Sequence, residues 1–156
     1  MAVLEKKVDT PLDLIRRGIE ALPGWLARQR DGDLGPIATE LREFVDRSEG
    51  ISADVIRRFE KSGAWAHDGA LDMVSWLKSN GKLSGSAAME RVAMARQLEK
   101  VPETAQAFQR GDLGYQHVAI LSRTAEKVGT DTFQERRSQA AGGGPGGGSG
   151  EVRGGR

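Results

Sequence analysis

Along this chain the apolar positions recur every three or four residues, between short polar breaks. That period lines side chains along one face of a helix, whereas a strand needs alternation by two. A first helix is predicted from Thr10-Pro11-Leu12-Asp13, with Thr10 as N-cap and Pro11 at the first helical position, where its missing N–H has no partner to lose. Leu14, Ile15, Ile19 and Leu22 mark its apolar face. Pro23-Gly24 is expected to stop or kink it, with Trp25 and Leu26 a brief continuation before a loop at Asp31-Gly32-Asp33. A second helix is predicted over Pro36 to Arg47, with Ile37, Leu41, Phe44 and Val45 on one face and Glu49-Gly50 as its end. A third follows the cap Ser52: Ile51 and Ile56 have the spacing of a hydrophobic staple, Val55, Ile56 and Phe59 are apolar, and Gly63 is the stop.

The segment Ala64 to Gly69 reads as a loop, and Leu71, Val74, Trp76 and Leu77 as a short helix closed by Asn80-Gly81. From Leu83-Ser84 the pattern predicts a helix over Gly85 to Lys100, with Ala88, Val92, Ala95 and Leu98 inward. Alanine at two of those positions implies close approach of a neighbouring helix. Pro102 opens a helix that ends at Arg110-Gly111. Another begins at Gly114-Tyr115 with Val118, Leu121, Ala125 and Val128 inward, and Thr130 caps a last one through Phe133 to about Ala140. The fold class is therefore all-α, an irregular bundle of about seven or eight helices.

Composition changes this picture only at the ends and in its chemistry. Many of the 21 glycines crowd after Ala141, so 142–156 reads as a disordered Gly-rich tail, 10–141 as the helical domain and 1–9 as an N-terminal extension. With 23 Lys and Arg against 22 Asp and Glu, the net charge of +1 gives no global field toward nucleic acid or an anionic membrane. There is no cysteine, which excludes disulfides and thiolate chemistry. No apolar run approaches the ~20 residues that span a bilayer. Glu5, Lys6 and Lys7 stand where a signal peptide needs an apolar stretch, so the expected location is cytoplasmic.

From Gly63 to Val128 an ordered set of features appears: Asp68-Gly69, Trp76-Leu77, Leu83-Ser84, Ala95-Arg96 with Leu98, Pro102 with Thr104, then Gly111, Leu113 and His117. In this order the run resembles the domain of unknown function 222, also called the 13E12 repeat family, the N-terminal helical region of HNH-endonuclease-type proteins. The resemblance implies a helical domain beside a nuclease module. HNH chemistry needs a His that activates water and further His, Asp or Asn side chains on a metal. The only histidines, His67 and His117, lie upstream of where that module belongs, and the chain ends in Gly-rich sequence. The expectation is a truncated or frame-shifted member to which nuclease activity does not transfer, with no catalytic residue, metal or cofactor.

His67 beside Asp68 suggests an acid–base pair, but neighbours in sequence point apart and no third group orients them, so loop closure or capping by Asp68 is the preferred reading. His117 in the first turn of its helix suggests a phosphate contact; a surface or half-buried His packed on the preceding turn is preferred. Trp65 and Trp76 suggest platforms for bases, and core anchors are preferred. The helices from Pro102 to Lys127, joined at Gly111-Asp112-Leu113-Gly114, have the outline of a helix-turn-helix. In that reading Gln116 and His117 lie near base edges of DNA, with Arg123 and Lys127 on its backbone. Acidic Asp112 and Glu126 weigh for a plain αα-hairpin. Arg136-Arg137 and Arg153 to Arg156 outline a basic Gly-rich tail, for which linker is preferred. The preferred function follows the resemblance: a non-catalytic, nuclease-associated helical domain that assists DNA binding. The alternative is a helical protein–protein interaction or dimerisation module, partnered by itself or another protein, with no membrane.

Overall fold

Six α-helices, joined by short turns, make up the structure, a computed structural model that describes residues 9–129 of the chain. They are α1 (Pro11–Leu26), α2 (Leu34–Ser62), α3 (Met73–Asn80), α4 (Gly85–Lys100), α5 (Pro102–Arg110) and α6 (Tyr115–Val128). No strand occurs among the described residues, so the fold is all-α. The N-terminal extension, the predicted helix from Thr130 to Ala140 with Arg136-Arg137, and the Gly-rich tail lie outside the described residues. In sequence the chain divides between Arg42 and Glu43 into two compact units.

Local chemistry fixes most helix starts. Thr10 and Asp13 form a capping box on α1: each side chain receives the other's backbone N–H, at 3.2 Å and 3.0 Å. The Thr10 hydroxyl, which also donates to the Asp13 carboxyl at 2.6 Å, holds that carboxyl below its usual pKa together with the Thr10 N–H. Asp72 caps α3 by accepting the Ser75 N–H at 2.7 Å, and Ser84 caps α4 by accepting that of Ala87 at 3.2 Å. Gly63 and Gly69 take left-handed conformations at either end of a 3-10 turn, Ala64–Asp68, a geometry that favours glycine.

Of the expectations about the first helices, the brief continuation through Trp25 and Leu26 holds, while the stops do not. Pro23 does not stop α1: its fixed φ is itself helical, and Gly24, Trp25 and Leu26 follow in helical form before Ala27 bonds the Pro23 carbonyl at 3.1 Å. Glu49-Gly50 does not end a helix, and Ser52 does not cap another, because α2 runs unbroken from Leu34 to Ser62. Gly50 is there for space. A Cβ on it would lie 3.0 Å from the backbone of Phe108 and Gln109, where α5 crosses α2. The Ile51–Ile56 staple is likewise absent; Ile51 is exposed in mid-helix while Ile56 is buried.

In the second unit the core gathers around α4, which packs against α3, α5 and α6. Ala88, Val92, Met94, Ala95 and Leu98 of α4 meet Ala53 and Ile56 of α2, Met73 and Leu77 of α3, Phe108 of α5, and Tyr115, Val118 and Ala119 of α6. The alanines let the backbones approach, as their positions predicted. In the first unit, α1 buries no residue at all.

Candidate functional site

The four residues proposed for DNA lie on α6, and the start of that helix has an unexpected partner. Gly114, its N-cap, offers no side chain; instead Asp46, on α2, accepts the Tyr115 N–H at 2.9 Å. A Cβ on Gly114 would come within 3.3 Å of the Asp46 carboxylate, so glycine leaves room for this distant cap. The positive end of the α6 dipole is thereby matched by a carboxylate already in place. A phosphate beside His117 would face that negative charge.

Around Tyr115 a polar cluster ties three helices together. The Tyr115 hydroxyl donates to Glu90 at 2.6 Å, and the Arg91 guanidinium sits 5.1 Å above its ring. Arg91 also grips Glu49 of α2 with two bonds, at 2.6 Å and 3.2 Å, in a half-buried fork. Burial and the bond to Glu90 push the Tyr115 phenol up to about 12. Further along, Glu60 of α2 takes both Nε and Nη2 of Arg96.

On the outer face of α6, Gln116, Arg123 and Lys127 share one exposed stripe with Ile120 between them; His117 lies to its side. The positive charge there is partly cancelled, because Arg123 reaches Glu90 at 3.7 Å and gives its Nε–H to the Ala119 carbonyl at 3.3 Å. α5 and α6 both lean on α4.

The two tryptophans are held as anchors. The Trp76 indole N–H donates to Asp68 at 2.6 Å and its ring meets Phe59 edge-on at 4.7 Å; the Trp65 N–H donates to the Glu60 carbonyl at 3.1 Å. Both pack against the core. Asp68 therefore ties the 3-10 turn to α3, and His67 is exposed. No group of three or more His, Cys, Asp or Glu among the described residues is placed to hold a metal ion.

A groove of about 380 Å³ opens between α2, α4 and α5, floored by Ala53 and Ala95 and edged by Arg57, Glu99, Gln106 and Gln109. Its ions are mutually paired: Arg57 bonds Asp54 at 2.7 Å and approaches Glu99 at 3.6 Å, and Lys61 also bonds Glu99. It holds no nucleophile oriented by a base.

Beyond the groove, α2 carries an uncovered apolar face. Phe44, Ile51 and Val55 are 49%, 57% and 59% exposed, and Val45 accompanies them. Gly50, Ala53 and Ile56 of the same helix are buried. Sequence reasoning assigned this face to two separate helices and so missed that it is continuous.

The family model described as Domain of unknown function (DUF222) matches residues 37–142, so the domain takes in most of α2 as well as the run that carries the motifs. Among curated proteins and solved structures nothing matches. No helix among the described residues is long and apolar enough to cross a membrane.

Proposed function

The chain belongs to the DUF222 family, and from that premise we propose that it is a non-catalytic helical module that binds protein through the apolar face of α2, as the accessory part of an HNH-type nuclease. One observation carries this reading: a single helix, α2, buries Gly50, Ala53 and Ile56 while leaving Phe44, Ile51 and Val55 open to water. Large side chains left in water at regular spacing along a rigid helix are a feature of interaction surfaces more than of idle ones.

The test is whether this face belongs to the chain's own core. At high dilution Ile51→Glu should leave helicity and melting temperature unchanged, since Ile51 supports nothing in the isolated chain. A fall of several degrees would assign the face to the chain's own fold and remove the reading.

A second reading, a DNA-assisting role, is favoured by the alignment of Gln116, Arg123 and Lys127 on α6. It expects a salt-sensitive mobility shift that weakens in Arg123→Ala and Lys127→Ala. Absence of any shift at low salt removes it.

A further inference from the structure

The uncovered face of α2 has a regular pattern. Phe44, Ser48, Ile51 and Val55, all exposed, follow one another at steps of four, three and four residues. That is the seven-residue period of a coiled-coil seam, in which a helix packs along a second helix of matching pattern. Along one flank run Glu40, Arg47, Asp54 and Lys61, seven residues apart and alternating in sign. The other flank, Ala38, Val45, Ser52 and Phe59, carries no charge.

We infer that the occupant of the seam is α2 of a second copy of this chain, running antiparallel. The inference rests on the reading of the domain as a protein-binding module. The charges select the direction. In a parallel pair each charged flank meets the uncharged flank of its neighbour and gains nothing. In an antiparallel pair the charged flanks meet each other, and with a two-fold axis midway between Ser48 and Ile51, Arg47 lies beside Asp54 of the second copy and Asp54 beside its Arg47. The same operation sets Glu40 against Lys61.

The side chains in the seam fit the same axis. Phe44 faces Val55 of the second copy and Ser48 faces its Ile51, a large group against a smaller one at every level. A two-fold contact of this kind closes on itself, so association stops at two. Within the chain Arg47 already holds Glu43, Asp54 holds Arg57 and Arg58, and Lys61 holds Glu99, so the pairs across the seam orient the contact more than they strengthen it. Four levels, two of them apolar and two with Ser48 against Ile51, make a short interface, of the weak class that buries under about 1,200 Å².

Light scattering on the full chain, from low-micromolar to millimolar concentration, should show the mass rising from one chain to two. Ile51→Glu should weaken that association at least ~10-fold, a lost ~1.4 kcal/mol. Because the chain has no cysteine, two single-cysteine variants report direction. Phe44→Cys mixed with Val55→Cys should give the mixed disulfide on mild oxidation, with neither variant alone linking to itself. A mass of one chain throughout overturns the inference, as does a doubling that survives Ile51→Glu, or self-linked Phe44→Cys and Val55→Cys pairs. If the mass stays at one chain while Ile51→Glu leaves melting unchanged, the second copy is excluded and the protein-binding reading stands.

Discussion

Helices α1 and α4 are the same length, 16 residues each, and they have opposite fates. On paper α1 is the better helix, with a capping box, Pro11 at its first position and a broad apolar face of Leu12, Leu14, Ile15, Ile19, Leu22 and Trp25. It buries none of them; Leu12 is 70% exposed. The face of α4 is thinner, with alanine at two of its five positions, yet Ala88, Val92, Met94, Ala95 and Leu98 are all buried. Amphipathic spacing says that a helix has a side to cover, and small residues say that something comes close enough to cover it.

The sharpest break in this contrast is Met94→Ala, which opens a cavity at the centre of the second unit and should cost about 2–5 kcal/mol in a denaturant titration. A cost near zero would mean that α4 is not the packed element. Next comes Gly50→Ala: with no space between α2 and the backbone of α5, the added methyl should cost about 1–3 kcal/mol, although alanine is the better helix former. A gain in stability would restore Gly50 to the role of a helix end. Asp46→Ala removes the cap of α6 and should cost about 1 kcal/mol, with amide exchange rising at Tyr115 first.

Tyr115, the single tyrosine, reports the polar cluster by its own absorbance. Its pKa, raised from 10.0 to about 12, makes the cluster's contribution complete below about pH 10 and lost as pH climbs toward 12. A tyrosinate midpoint near 10 would place the ring in water. Smallest of all, Leu14→Gln on α1 should stay within about 0.5 kcal/mol. A larger loss would show that α1 has a covered face after all.

Features whose causes are local were legible in the residues. The bounds of α4 follow from Ser84 before it and Val101-Pro102 after it, and those of α5 from Pro102 and the left-handed Gly111. Gly50 was misread because a glycine that ends a helix and one that admits a neighbour look alike along a chain; only the backbone at Phe108 distinguishes them. The stripe of Gln116, Arg123 and Lys127 was readable as positions seven and four apart. Its partial neutralisation by Glu90, from another helix, was not. Nor was Asp46 as the cap of α6, since it stands 69 residues from the amide it receives.

That distant cap bears on how the gene should be cut. The stretch with the recognisable signature starts at Gly63, and a fragment cloned from there keeps every motif. It forfeits Asp46, Glu49 and Glu60, the carboxylates that Tyr115, Arg91 and Arg96 grip. Three donors would be stranded together, so the smallest autonomous piece must begin upstream of Asp46.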